Sequence, residues 1–337
     1  MGKKTKNPLN LYERLQVSPR AEKEVLQAAY RALMVKYHPD KTREQTLAQH
    51  LNEAKDVLLD DKKRKEYDES LSAVKSKEIG NYEVLELIAT GGFGKTYKAR
   101  HILLDEVVCI KQANEISPAY EDVLIKEAKA IWDLRHSSLP AMRELLRLDD
   151  GSLALVMSYI PGPTLEKIIE KVGSLEAEHV AWIAERALSA LWYLHMHGVI
   201  HGDVKPQNII VQPENHAIVL VDFGLSAVKP SKSMRSEGYT PYFAPPEQQK
   251  QLGPLLPESD FYSLGMTMIY ALGGDIGKKR VPSKTPDVLA EFIGKLIQYD
   301  IKTRPTWEKR NLVDEISDIR EKAFGRRRSN LAPIPGV

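Results

Sequence analysis

Apolar residues recur every three or four positions at Leu26, Tyr30, Leu33 and Tyr37, and again at Leu47, Leu51, Ala54 and Leu58. Each set lines one face of a helix, and two such stripes joined by a short polar segment predict an antiparallel pair that buries its own seam. Ser18-Pro19 supplies a helix-start signal ahead of the first stripe. Residues 11–15 and 62–67 are candidates for short helices closing the bundle. The stretch 73–81 is polar, with Gly80 as its glycine, and reads as a linker. The period then changes. Residues 82–88 alternate as a strand, 89–97 form a glycine-bearing turn and return strand, and 107–111 and 153–160 are further strand-like runs. Beyond residue 161 the helical period returns at 165–172 and 175–196, the second with a wide stripe through Ile183, Leu188, Leu191 and Leu194.

Composition adds bounds rather than an activity. The chain has 337 residues, enough for about two domains. Its net charge of +2 gives no bulk field for nucleic acid or an anionic membrane surface. A single cysteine excludes an intrachain disulfide and suits a reducing compartment. Lys3, Lys4 and Lys6 make the start basic, but no apolar run follows as a secretory signal requires, and no run reaches the ~20 apolar residues of a membrane span. The expected location is the cytoplasm.

The chemistry concentrates in His201-Gly202-Asp203-Val204-Lys205-Pro206-Gln207-Asn208 and in Asp222-Phe223-Gly224, delivered by apolar runs on either side. Two carboxylates and a carboxamide on loops beside short strands can share the work of orienting a hydroxyl nucleophile and holding magnesium on a polyphosphate. This pattern resembles the catalytic and metal loops of eukaryotic-type protein kinases. The resemblance implies a two-lobed α+β fold over residues 82–323, with an antiparallel sheet and one helix at 82–158 and a mainly helical lobe at 162–323. It implies ATP and Mg2+ as cofactors and protein serine or threonine as acceptor, because Lys205 stands where tyrosine-specific relatives carry alanine. Asp203 would orient and deprotonate the acceptor hydroxyl, Lys205 would neutralise the γ-phosphate, and Asn208 and Asp222 would ligate magnesium. Lys111, closing a β-branched run, would reach the α/β-phosphates and pair with Glu127. Nucleotide contacts are implied at Ile88, Gly91, Gly92, Gly94, Thr96, Cys109, Lys111, Met157, Ser158, Ile160 and Ile210. Met157 would be the gatekeeper, and the backbone around Ser158 and Ile160 would meet adenine. Cys109 reads better as strand filling than as a redox group. Thr240 would bond the catalytic aspartate and lysine, Glu247 would pair with a buried Arg304, and Asp260 would brace the catalytic-loop backbone.

Departures from the family pattern are local. Ala89 replaces the first glycine of the lid and Thr96 its valine. Gly202 replaces the arginine that receives an activation-loop phosphate in many relatives, so activity is expected without loop phosphorylation by that route. Residues 273–286 are short and polar where the family often has a longer substrate-facing insert, which leaves the substrate unnamed.

A lone His-Pro-Asp would be read as a helix-terminating turn. Here His38-Pro39-Asp40 sits in an ordered series: Tyr12-Glu13-Arg14-Leu15, Ala29-Tyr30-Arg31, Lys36-Tyr37 before the turn, Lys41 after it, Asn52-Glu53-Ala54 and Lys65-Glu66-Tyr67-Asp68. The series resembles the J domain of DnaJ-type co-chaperones over residues 8–72. The resemblance implies docking to a DnaK-type chaperone ATPase through His38, Pro39 and Asp40, assisted by Lys23, Arg31, Lys36 and Lys41 against an acidic surface. No Gly/Phe-rich stretch or Cys-x-x-Cys pair follows, so the domain is expected to recruit rather than bind clients. The tail 324–337, with Arg326-Arg327-Arg328 and two prolines, reads as disordered, with Ser329 a candidate autophosphorylation site. The competing reading of the whole chain is a catalytically weak pseudokinase scaffold carrying a J-domain co-chaperone, supported by Ala89 and Gly202.

Overall fold

The computed structural model describes residues 11–19, 21–36, 45–75, 77–91, 94–212, 214, 216–236, 238–325 and 334. His38, Pro39, Asp40, Lys41, Gly92 and Ser329 lie outside the described residues. The chain divides into two compact units: residues 1–78 with 83–85, and residues 79–82 with 86–337. Among the described residues no helix is long and apolar enough to cross a membrane.

The first unit is helical: α1 (Leu11–Arg14), α2 (Lys23–Lys36), α3 (Gln45–Leu58) and α4 (Asp61–Lys75). The predicted stripes meet as Leu26 and Leu33 against Leu51, Ala54 and Leu58, joined by Tyr12 of α1 and by Leu15 just after it. Tyr30, predicted on the stripe, is only partly buried and donates its hydroxyl to Asn52 Oδ1 at 2.7 Å. Tyr12 Oη donates to Asp68 Oδ1 (2.6 Å) and the Leu11 N–H donates to Tyr67 Oη (3.0 Å), pinning α1 to α4. The last helix is much longer than the short closing piece expected. Asp60 starts it by accepting the Lys62 and Lys63 amides at 3.0 Å. It runs on through Lys75, and Glu78–Ile79 is already a strand, so most of the stretch expected as a linker is regular structure. Of the residues expected to dock a partner, Arg31 is exposed on α2 and Lys36 ends that helix. Lys23 is engaged within the unit, 2.8 Å from Asp61 Oδ1.

A six-stranded sheet, most of it in the second unit, has the order β1-β2-β3-β4-β6-β5, from β1 (Glu78–Ile79), β2 (Tyr82–Thr90), β3 (Gly94–His101), β4 (Val107–Ala113), β5 (Met142–Arg147) and β6 (Leu153–Ser158). The β3–β4, β4–β6 and β5–β6 ladders are antiparallel. The helix α5 (Pro118–Ile131) lies between β4 and β5 in the chain and packs its buried Leu124, Ala128 and Ile131 into the core. Gly94 has a structural duty beside any ligand: a Cβ there would sit 2.6 Å from the Gln112 carbonyl oxygen.

The rest is mainly helical: α6 (Leu165–Val172), α7 (Ala177–Met196), α8 (Pro246–Gln249), α9 (Pro257–Ala271), α10 (Asp287–Leu296) and α11 (Leu312–Phe324), with the short strands β7 (Val199–Ile200), β8 (Ile209–Gln212), β9 (Ala217–Leu220) and β10 (Ala227–Val228). The helix α9 is buried on nearly every side, as a central helix must be to carry so few surface charges. The tail departs from expectation at Ile334, which is buried in the core cluster of this unit.

Candidate active site

The alternation of β4 buries Val108 and Ile110 and leaves Lys111 on the strand's other face. Its Nζ donates to Glu127 Oε2 at 2.6 Å and to Asp222 Oδ1 at 2.7 Å. Glu127 is held by the core-facing turn of α5 and is fully buried, its second oxygen accepting the Phe223 N–H at 3.3 Å. Asp222 reaches the lysine from a left-handed backbone conformation, φ +66°, which a residue with a Cβ adopts only when its surroundings impose it.

Two carboxylates around one ammonium leave one negative charge uncompensated. Burial works against the Lys111 ammonium, but Glu127 and Asp222 outweigh it and hold the group well above the usual lysine range. Burial pushes the Glu127 carboxyl up, and Lys111 pulls it only part of the way back. For Asp222 burial also acts upward, yet the Lys111 ammonium prevails and keeps the carboxyl below its usual value. The buried glutamate thus bears the excess charge, and a cation beside Asp222 would relieve it.

The neighbouring loop is built around Asp203, which with Asn208 is almost completely buried. Thr240 Oγ1 donates to Asp203 Oδ1 (2.6 Å), Lys205 Nζ lies 2.7 Å from Asp203 Oδ2, and Lys205 also donates to Thr240 Oγ1 (2.9 Å). Asn208 uses its amide nitrogen on the Asp203 carbonyl (2.9 Å) and Oδ2 (3.0 Å), which turns its amide oxygen away from the aspartate. The loop backbone is braced by Asp260, which is fully buried and accepts the His201 N–H (2.9 Å), the Gly202 N–H (2.8 Å) and a bond from His195 Nε2 (2.8 Å). The Trp307 indole donates to His195 Nδ1 at 2.9 Å; an indole N–H only donates, so Nδ1 is the bare nitrogen and Nε2 carries the proton toward Asp260. His201 packs its ring on Phe223, centroids 4.8 Å apart. Glu247 pairs bidentately with the buried Arg304, at 2.7 and 2.9 Å.

The hard oxygens of Asn208 and Asp222 suit magnesium, with phosphate or water completing the shell. Among the described residues no group of three or more His, Cys, Asp or Glu is placed to hold a metal ion.

The remaining residues expected at a nucleotide are distributed along the same sheet and its floor. Ile88 is half-exposed near the end of β2, and Thr96 lies opposite Lys111 in the β3–β4 register. Cys109 and Met157 are cross-strand neighbours, Met157 buried; burial pushes the Cys109 thiol up to about 12, as befits a filler and not a redox group. Ile210 lies on β8 and bridges to Thr164. Gly91 closes the lid turn through its N–H to the Gly94 carbonyl (2.8 Å), while Asn114 holds the Gly91 carbonyl (2.9 Å). The Ser158 N–H is spent on the Ala141 carbonyl (2.8 Å). Sequence reasoning missed His195, Trp307 and Gln248. Their partners lie 65, 112 and 46 residues away, and no local pattern marks them.

A family model described as the protein kinase domain matches residues 82–280, and one described as the DnaJ domain matches residues 10–68. The chain is 32% identical over 206 residues to serine/threonine-protein kinase pkn3 of Myxococcus xanthus, covering 57% of this chain and 38% of that protein. It is 30% identical over 260 residues to serine/threonine-protein kinase D of Synechocystis sp., covering 67% and 50%. It is 33% identical over 201 residues to a probable serine/threonine-protein kinase of Dictyostelium discoideum, covering 58% and 40%. The chain therefore spans half or less of the length of these relatives. With the Lys111–Glu127–Asp222 and Asp203–Lys205–Asn208–Thr240 constellations inside the matched region, this chain belongs to the protein kinase domain family and carries a DnaJ domain ahead of its kinase domain.

Proposed function

We propose that the chain is an ATP-dependent serine/threonine protein kinase whose DnaJ domain recruits and stimulates a DnaK-type chaperone ATPase. The observation that carries the kinase half is the joint placement of Lys111, Glu127 and Asp222 in one bonded set and Asp203, Lys205, Asn208 and Thr240 in another. Lys111, aligned by Glu127, would grip the α/β-phosphates of ATP. Asp203 would align a serine or threonine hydroxyl of a protein substrate and take its proton as the oxygen bonds the γ-phosphorus and the bond to ADP breaks. Lys205 would hold the transferring phosphoryl oxygens. Magnesium, held by Asn208 and Asp222, would offset charge between the β- and γ-phosphates.

The scaffold reading finds little support, because none of these groups is missing and each is oriented by a bond. Transfer of radiolabelled phosphate from ATP to protein, compared between wild type and Asp203→Ala, decides the matter. Incorporation by wild type alone is expected; equal incorporation, or none in either, would favour the scaffold. The chaperone half rests on the DnaJ match and on the His38-Pro39-Asp40 sequence. His38→Gln should abolish stimulation of a DnaK-type ATPase and leave phosphate transfer intact; undiminished stimulation counts against recruitment. The cytoplasm, where both ATP and such chaperones are abundant, is the proposed location.

A further inference from the structure

We infer that Gln248 is a positioning residue that holds the activation segment of this kinase in its working place without any phosphate. The inference rests on the kinase reading and concerns how that same site is regulated. Gln248 is on α8 and 2% exposed. Its Nε2 shares its two hydrogens among the Gly202 carbonyl of the catalytic loop (2.9 Å), the Gly238 carbonyl of the activation segment (3.0 Å) and Ser236 Oγ (3.2 Å). The Ser236 hydroxyl in turn donates to the Gly238 carbonyl at 2.5 Å, closing the turn on itself. One neutral amide thus ties the residue before the catalytic aspartate to the middle of the segment. A second tie, Thr240 Oγ1 to Asp203 Oδ1, lies only a few residues farther on.

The geometry at Gly202 excludes the charged alternative. Its backbone has φ +76°, and a Cβ would fall 2.5 Å from the Leu225 carbonyl oxygen and 2.8 Å from Leu255 Cδ1. No side chain can project from this position to receive a phosphate without moving the Leu225 backbone and the Leu255 side chain. The place is filled from the other side by the carboxamide. Gln248 must donate, because every atom its nitrogen faces is an oxygen; a glutamate there would set a carboxylate against all of them. Ser236 is buried and its hydroxyl is used both ways, so a phosphate on it would break the tie rather than make one. The cations near by, Lys126, Lys129 and Arg235, line a cavity of ≈ 200 Å3 beside Ser236. The Arg235 guanidinium is bonded to the Lys232 and Met234 carbonyls.

The experiment uses the full chain, treated with a broad protein phosphatase that is then removed. Steady-state transfer from magnesium-ATP to casein as a probe acceptor is measured beside amide hydrogen exchange over residues 236–240. Wild type should keep its kcat to within about twofold after phosphatase, because no phosphate takes part. Gln248→Leu should exchange this segment about tenfold faster or more and lose about tenfold in kcat, with the KM for ATP nearly unchanged, since the nucleotide residues are untouched. The isosteric Gln248→Glu should do the same, which separates loss of the donor from loss of packing; unchanged melting of that variant shows that it folds. Unaltered exchange and kcat in both variants would overturn the inference. So would loss of activity on dephosphorylation that Ser236→Ala reproduces and that Lys126 and Lys129 substitutions share. If wild type transfers no phosphate at all, the kinase reading falls, while the exchange ratio still decides whether Gln248 is the tie.

Discussion

Replacing Asp260 with asparagine should unfasten the catalytic loop at a cost that the structure allows to be estimated. The carboxylate has Oδ2 receiving His195 Nε2 (2.8 Å) and the His201 N–H (2.9 Å), and Oδ1 receiving the Gly202 N–H (2.8 Å). Asparagine keeps one acceptor oxygen, which serves best where two donors converge. Its amide nitrogen then faces the Gly202 N–H, donor against donor. One charge-assisted bond is lost and two become neutral, at about 2–4 kcal/mol together. At about 2–4 °C per kcal/mol for a domain of this size, the melting point should fall by about 4–16 °C. Tryptophan fluorescence in urea is a suitable assay, because Trp132, Trp182, Trp192 and Trp307 all lie in the second compact unit and the DnaJ domain has none. The transition therefore reports one domain, which avoids the mixed unfolding of a two-domain chain. Asp260 touches no substrate, so kcat should drop with the KM for ATP little changed. A stability loss below about 0.5 kcal/mol, the size of an ordinary surface change, would refute the account of the loop's support.

Other expectations follow from the same geometry. Arg304→Met leaves the partly buried Glu247 without its bidentate partner at 2.7 and 2.9 Å, and should destabilise the domain by about 3 kcal/mol; urea midpoints of the single variant and of Arg304→Met/Glu247→Leu, which should recover part of the loss, check this. Cys109, with its thiol held up to about 12, should react with iodoacetamide at pH 8 about a thousandfold more slowly in the native protein than in urea; comparable rates would mean the thiol is not shielded. On acidification Glu127, raised by burial, should take a proton above the ordinary glutamate value of 4.5, whereas Asp222, lowered by Lys111, stays ionised below 3.8. Magnesium-ATP affinity should accordingly be flat at neutral pH and begin its fall with Glu127. Glu127→Gln should abolish that first step, and calorimetric titration between neutral and mildly acid pH reads it. Equal profiles for both proteins would remove Glu127 from the account.

The elements that local order could fix were legible in the chain. The stripe Leu26–Leu33 and its partner Leu51–Leu58 became α2 and α3, the alternation from residue 82 became β2, and the β-branched run to Lys111 became β4. The paired loops at 201–208 and 222–224 announced their chemistry through residue type and spacing alone, because neighbours along a tight loop stay neighbours in space. The length of α4 was missed, although Tyr67, Leu71 and Val74 continue at spacings of four and three, because the polar residues between them read as a linker. The burial of Ile334 was hidden too, because one isoleucine between two prolines carries no periodicity that could mark a buried face.

What only the tertiary structure decided is which distant groups the loops lean on. His195 and Trp307 approach Asp260 through the packing of α7 and the chain near 307 against α9, and Gln248 meets Gly202 across 46 residues. The left-handed turn at Asp222 is likewise imposed by its surroundings, whereas Gly202 takes φ +76° because it has no Cβ to oppose it. Local sequence specifies the reactive groups because their spacing is short. Their orientation comes from buried polar contacts between segments far apart in the chain, where an unpaired donor or acceptor would be costly.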